Sequence, residues 1–204
     1  MTSITAVLFD FAGVLTSSPW GALAAAGGGS LELLIGSYEE DTDHPWHQVE
    51  RGEMAIADWA TAVSETGRQQ GIEVDFTPLQ ALLSDMTLHE PIIERVRTLR
   101  TEGYLLGLIT NNVREGSAMW RSLVPVDELF DVVVDSSEVG MRKPNPAIYH
   151  HALDLLGGVP PAQAVFLDDS PGNVVGAQRA GLHAILVDEP QAAVAALDAL
   201  LAAG

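Results

Sequence analysis

Five short apolar runs set the frame for this chain, at residues 4–9, 104–109, 132–134, 165–167 and 184–187. Each reads as a continuous run, interrupted at most by Thr5 in the first and Gly107 in the second, and does not alternate with polar residues. A strand with one wet face alternates; a strand covered on both faces does not. Stretches of helical spacing lie between the later runs. Ile92, Val96 and Leu99 follow Pro91, and Ile148, Ala152 and Leu155 follow Pro146, a good residue for a first helical turn. A short helix is predicted over 172–180, stopped by Gly181, and an alanine-rich one over 190–203. Strand–helix alternation from about residue 91 onward predicts an α/β fold with a doubly wound parallel sheet.

Residues 16–89 break that rhythm. Gly27-Gly28-Gly29 punctuates the chain, and Ser30 fits the N-cap of a following helix. Ile56, Ala60 and Val63 fit a second helix entered at Glu53, and residues 78–88 a third. No convincing strand run occurs here. The reading is a helical insert at 16–89, placed within a core made of 1–15 and 90–204.

The function classes narrow on charge. With 28 acids against 10 bases the net charge is -18, a field that repels nucleic-acid backbones and anionic membrane surfaces. No cysteine is present, which excludes disulfides, thiolate catalysis and cysteine metal sites. The apolar runs are too short to cross a bilayer, and no basic flank leads into a long apolar stretch at the N-terminus. The expectation is a cytoplasmic protein, monomer or homodimer, with no nucleic-acid or membrane partner. Lys143 is the only lysine.

In an open parallel sheet, ligands bind beyond the carboxyl ends of the strands. Asp10 follows the first run, with Gly13 permitting a tight turn. Thr110-Asn111-Asn112 follows the second, a hydroxyl and two amides suited to cradle an anion. "GMRKPNP" after the third holds Lys143 in a loop stiffened by Pro144 and Pro146. "FLDDSPGN" after the fourth holds Asp168 and Asp169, adjacent carboxylates that repel unless a cation intervenes. Carboxylate and carbonyl oxygens suit magnesium. Taken singly, each has an ordinary reading: a capped turn, an N-cap, an exposed lysine on a turn. Together they are expected to converge on one sheet edge, where one acid could attack, others could hold a cation, and a hydroxyl and a lysine could hold an anion.

With these residues in place, the sequence resembles the haloacid dehalogenase superfamily. "DFAGVLTSSP", "ITNN", "GMRKPNPAIY" and "FLDDSPGNV" are most similar to the branch containing the phosphatase domain of soluble epoxide hydrolase. The resemblance implies a Rossmann-like core with an inserted helical cap and a magnesium-dependent phosphatase acting on a small phosphorylated metabolite. It further implies that Asp10 is the nucleophile and forms an aspartyl phosphate. Asp10, the Ala12 carbonyl and Asp169 would hold Mg2+, with Asp168 and Asn173 supporting them from outside. Thr110 and Asn111 would bind the phosphoryl oxygens, and Lys143 would neutralise the nucleophile and the group in transfer.

Ala12 departs from the pattern. The family's common motif has a second aspartate there, which protonates the leaving oxygen and later activates water. Such help is worth ~10²–10⁴-fold. Good leaving groups suffer least from its absence, because they need no proton. His44 and His47, in "DTDHPWHQ", and Thr16 are the candidates to replace it, although loop histidines beside a turn are more often simply exposed. The His44-x-x-His47 spacing is a weak zinc signal. Trp20, Trp46 and Trp59 either pack the insert or line its pocket.

Other chemistries of the superfamily fit less well. A metal-free dehalogenase would leave Asp168 and Asp169 poorly neutralised. A phosphonate-cleaving enzyme shares the alanine but needs a cap lysine, and the one lysine sits in a core motif. A phosphomutase relies on the missing acid. A non-catalytic binding protein accounts for Ala12 but not for a retained, costly charge cluster.

Overall fold

The computed structural model of the protein describes residues 3–18, 31–37, 39–74, 76 and 86–203. Five strands, β1 (Ala6–Phe9), β2 (Leu105–Thr110), β3 (Val132–Asp135), β4 (Ala164–Asp168) and β5 (His183–Leu186), form one sheet in the order β3-β2-β1-β4-β5. All pairings are parallel. Phe9 lies opposite both Leu108 and Leu167, so β1, β2 and β4 end nearly level. Every residue of β1 and β4 is buried, which is why their sequences run apolar without alternation.

Ten helices are described: α1 (Leu31–Ile35), α2 (Pro45–Glu50), α3 (Ile56–Gln70), α4 (Glu90–Glu102), α5 (Ser117–Leu123), α6 (Val126–Leu129), α7 (Ser136–Val139), α8 (Pro146–Leu155), α9 (Pro171–Arg179) and α10 (Pro190–Ala202). Strand side chains alternate between two cores. Val7, Phe9, Leu106, Leu108, Val165 and Leu167 pack with Ile92 and Val96 of α4 and Leu197 of α10. Ala6, Leu8, Ala164 and Phe166 pack with Ile148 and Tyr149 of α8 and Ala177 of α9 on the opposite face. The short helices α2, α5, α6 and α7 carry no readable period. Local caps hold two of them: the Asp135 side chain accepts from Ser137 N at the start of α7, and His44 accepts from Trp46 N at the start of α2.

Between β1 and α4, helices α1–α3 surround a third cluster of Leu34, Ile35, Trp46, Val49, Trp59 and Val63. The Trp46 and Trp59 rings meet edge-on at 5.0 Å, and the Trp59 indole donates to the Leu34 carbonyl at 2.8 Å, so both tryptophans pack the insert. Helix α3 begins at Ile56, three residues later than its expected entry at Glu53. The expectations for Trp20, Gly27-Gly28-Gly29 and Ser30 lie outside the described residues, as does most of the helix expected over 78–88. At the end of that stretch Leu88 forms an antiparallel bridge with Thr16.

The two crossings into the insert are paired. Ser17 N donates to the Thr87 carbonyl, His89 N to the Leu15 carbonyl (2.8 Å each), and the His89 ring reaches the Val14 carbonyl. A buried ion pair ties the insert to the sheet edge. Arg142 donates to Glu50 at 2.7 Å and to the Glu40 carbonyl at 2.8 Å, while Glu50 accepts from the Trp46 indole. No described helix is long and apolar enough to cross a membrane.

Candidate active site

The sheet changes direction of growth between β1 and β4, and that is where their carboxyl ends part to leave a crevice. Asp10 emerges from β1 there. Its backbone N–H still bonds the Leu167 carbonyl of β4 at 2.9 Å, which fixes where the side chain starts. Asp168 ends β4 and Asp169 follows it. Ligand oxygens of Asp10, Asp168 and Asp169 all lie within 4.8 Å of one another.

Lys143 joins them from the loop between α7 and α8. It is fully buried, and its ammonium donates to Asp10 Oδ1 at 2.6 Å and to Asp168 Oδ2 at 2.8 Å. The ordinary reading of Lys143 as an exposed turn residue therefore fails. Burial alone would lower its pKa, but the two carboxylates outweigh burial and hold the ammonium charged.

Asp168 is saturated. Besides Lys143 it accepts from Ser170 N at 2.8 Å and from the Asn173 amide at 3.0 and 3.1 Å. Asn173 is itself anchored, its carbonyl accepting from the buried Tyr149 hydroxyl at 2.7 Å. Asp168 thus orients Lys143 and has no oxygen to spare. Asp10 differs: Oδ1 accepts from Lys143 and from Phe11 N at 2.6 Å, and among the described residues no donor reaches Oδ2.

A divalent cation fits this arrangement. Three carboxylates against one ammonium leave two negative charges in excess. Burial, above all, raises the Asp10 carboxyl well above its usual range, with Asp168 and Asp169 adding to the effect against the pull of Lys143. Burial and then Asp168 push Asp169 up to about 6, although the Ser18 hydroxyl and Lys143 draw it down. Among the described residues no donor reaches the Ala12 carbonyl. The loop closes on itself instead, Gly13 N bonding the Thr16 carbonyl and Leu15 N the Phe11 carbonyl, both at 2.8 Å. Asp10 Oδ2, the Ala12 carbonyl and Asp169 are the oxygens left over.

Gly13 makes the cluster sterically feasible. Its φ is +88°, and a Cβ built there would overlap the Asp169 carboxylate. Gly13→Ala is expected to abolish metal binding, measured by calorimetric titration with magnesium, because it meets backbone strain and displaces Asp169 together.

The raised Asp169 pKa gives a pH prediction. The folded, metal-free protein holds this proton up to about pH 6, whereas an unfolded chain releases it near 3.8. Raising pH through that window therefore destabilises the metal-free fold, by about 3 kcal/mol at 1.36 kcal/mol per unit. A bound magnesium ion would remove the penalty. The gain in denaturation midpoint on adding magnesium should grow from pH 4.5 to pH 7; a gain independent of pH contradicts it. His47 runs the other way. Burial first, then Arg142 and His44, lower its pKa to about 4, so the fold loses stability as pH falls from 6.5 toward 4. This term is common to both metal states and cancels in the comparison.

Several sequence expectations shift. Asn111 does not aim its amide at an open site. It donates to the Lys143 carbonyl at 3.0 Å and accepts from Lys143 N at 2.8 Å, so the side chain braces the lysine loop. Thr110 ends β2, buried and level with Asp135 of β3. The histidines of the insert are not exposed loop residues. His47 is fully buried with Nδ1 accepting from Thr42 N at 3.0 Å, and Nδ1 of the partly buried His44 accepts from Trp46 N at 3.2 Å. Each ring thus commits a nitrogen to the insert's own backbone, which argues against the zinc pairing. Sequence reasoning missed Ser18 beside Asp169, Tyr149 behind Asn173, and Gly176, where a Cβ would overlap the Pro144 carbonyl. A glycine inside a helical stretch is a signal of close backbone approach, and Gly176 carried it.

Comparison with known proteins places the chain in a family. A family model described as haloacid dehalogenase-like hydrolase matches residues 4–181. Bifunctional epoxide hydrolase 2 of Mus musculus is 26% identical over 181 residues, covering 82% of this chain and 32% of that protein. Pyrophosphatase PpaX of Bacillus cereus (strain AH820) is 38% identical over 93 residues, 46% of this chain and 43% of that protein. The chain spans less than half the length of the curated relatives it matches. A HAD family enzyme from Bacteroides thetaiotaomicron, solved in complex with magnesium and inorganic phosphate, superposes with a TM-score of 0.62 at 23% identity. It covers 90% of this chain and 93% of that one, and the likeness shows a shared fold.

Proposed function

Since the chain belongs to the haloacid dehalogenase-like hydrolases, we propose that it is a magnesium-dependent phosphatase that passes a phosphoryl group from a small metabolite to Asp10 and then to water. The observation that carries this reading is the cluster of buried Asp10, Asp168 and Lys143 with partly buried Asp169, in which one carboxylate oxygen, Asp10 Oδ2, meets no donor among the described residues. Phosphoryl transfer is mostly positioning and charge neutralisation, and this cluster is built for both.

Asp10 Oδ1 is pinned by Lys143 and Phe11 N, which aims the carboxylate into the crevice. The Ala12 carbonyl and Asp169 would hold magnesium with Asp10, and the ion would supply charge neutralisation for the phosphoryl oxygens. Lys143 offsets the negative charge that gathers as nucleophile and phosphoryl group meet. Thr110 is assigned to the phosphoryl oxygens. Asn111 acts chiefly through the lysine loop it braces. Asp168 and Asn173 keep Lys143 in place. In this reading 16–89 is a cap over a core of 1–15 and 90–204, excluding water and limiting access to small substrates, and the protein works in the cytoplasm.

The test is release of nitrophenol from p-nitrophenyl phosphate, with magnesium and with chelator. Release is expected with magnesium and its loss, to background, with chelator. Release unaffected by chelator contradicts the reading.

A further inference from the structure

A phosphate ester of an alcohol needs a proton for its departing oxygen. An anhydride does not, because a carboxylate or phosphate leaves as a stable anion. The residues around Asp10 bear on which kind this site serves. Residues 11–31, the stretch that directly follows the nucleophile and leads into the insert, contain no Asp, Glu, His, Lys, Arg, Tyr or Cys. The hydroxyls there do not protonate a leaving group near neutral pH. Two of them are already engaged, Thr16 with the Ser17 carbonyl and Ser18 with Asp169.

The titratable groups around Asp10 are committed too. Lys143 is held between two carboxylates, 2.6 Å from Asp10 and 2.8 Å from Asp168, and Asp168 is saturated. Asp169 belongs to the cation cluster. Of the described histidines near the insert, His44 and His47 each spend Nδ1 on a backbone amide, and His89 spends Nδ1 on the Val14 carbonyl. His47 Nε2 is buried without a partner among the described residues, but burial lowers the pKa of that ring to about 4, so it stays neutral and is a poor acid near neutral pH. Among the described residues, nothing takes the place that a carboxyl at position 12 would fill.

Building on the phosphatase reading above, we infer that the substrate is a phosphoric anhydride, and specifically an acyl phosphate. In the first step an Asp10 oxygen forms a bond to phosphorus. The bond from phosphorus to the substrate's carboxylate oxygen breaks, and the carboxylate leaves with the electron pair and no proton. One mixed anhydride is exchanged for another, so the step is close to thermoneutral. In the second step water bonds to phosphorus, the bond to Asp10 breaks, and the proton from water ends on phosphate or in solvent. No base assists that attack, so the aspartyl phosphate accumulates.

Charge favours the acyl over the pyrophosphate form. A second phosphate needs its own cation, and the insert offers two arginines. Arg51 is bound to Asp41 at 2.5 Å and to Glu53 at 2.8 Å. Arg68 lies in the last turn of α3 and lines a cleft with Gly71 and Val74, a cleft that none of Asp10, Lys143, Asp168 and Asp169 lines.

The experiment compares kcat/KM, with magnesium, for acetyl phosphate, pyrophosphate, a series of substituted phenyl phosphates and glycerol phosphate. The proteins are wild type, Asp10→Asn and Ala12→Asp. The expected result for wild type is a fall of ~10³-fold or more from acetyl phosphate to glycerol phosphate, graded by leaving-group acidity across the aryl series, with pyrophosphate below acetyl phosphate. Ala12→Asp, which keeps the backbone carbonyl, should raise kcat/KM for glycerol phosphate relative to that for acetyl phosphate by ~10²-fold or more, the usual worth of a general acid. Glycerol phosphate within tenfold of acetyl phosphate in wild type overturns the inference while leaving the phosphatase reading intact. Pyrophosphate above acetyl phosphate overturns the acyl assignment. No Asp10-dependent release from any donor overturns both readings.

Discussion

Asp10→Asn is expected to lower magnesium-dependent phosphate release by about 10⁴–10⁶-fold, the range seen when a covalent nucleophile is removed. An amide keeps the shape of the carboxylate but cannot form the aspartyl phosphate. The fold should survive the change. Wild-type Asp10 is an acid whose ionisation burial and two neighbouring carboxylates oppose, so a neutral residue relieves repulsion even as Lys143 keeps Asp168 as partner. The check is steady-state phosphate release together with a denaturation midpoint in chelator. Activity within tenfold of wild type removes Asp10 from the mechanism.

Lys143→Met is expected to cost stability as well as activity. The ammonium is buried 2.6 Å from Asp10 and 2.8 Å from Asp168, and removing one partner of a buried pair typically costs about 3–5 kcal/mol. The acids left behind respond by taking up protons, so the deficit should be largest near pH 8 and shrink toward pH 5. Adding Asp168→Asn to Lys143→Met should restore part of the stability, because it removes the charge that lost its partner. Turnover should stay low in both variants, by ~10²-fold or more, since the charge that steadies the transferring group is gone in each. Urea denaturation at the two pH values checks the stability terms. A deficit that does not change with pH contradicts the assigned charge balance.

The sheet was legible because its strands are buried on both faces. Runs such as residues 165–167 stay apolar for a physical reason, and the structure extends that run only by Ala164 and Asp168. The candidate site was legible for a topological reason. Parallel strands put all their carboxyl ends together, so the cluster of Asp10, Lys143 and Asp168-Asp169 could be gathered without knowing strand order. What stayed hidden depends on partners distant in sequence. Asn111 looks like an anion ligand until its amide is found on the backbone of Lys143, 32 positions away. His47 looks like a loop residue because α2 has no period, and the buried partners around it are set by packing of the insert. Glu50 and Arg142 are separated by 92 positions and meet only because the insert docks on the lysine loop. The absence of an acid at position 12 was legible at once. That nothing among the described residues replaces it required the structure.

The central claim is that Asp10 carries the phosphoryl group. Acetyl phosphate mixed with the protein and magnesium, quenched with borohydride within a second, converts an aspartyl phosphate to homoserine, and peptide mass spectrometry locates it. The account predicts homoserine at position 10, absent with chelator and absent in Asp10→Asn. Release of phosphate from acetyl phosphate with no modification at position 10, or with modification at another carboxylate, contradicts it.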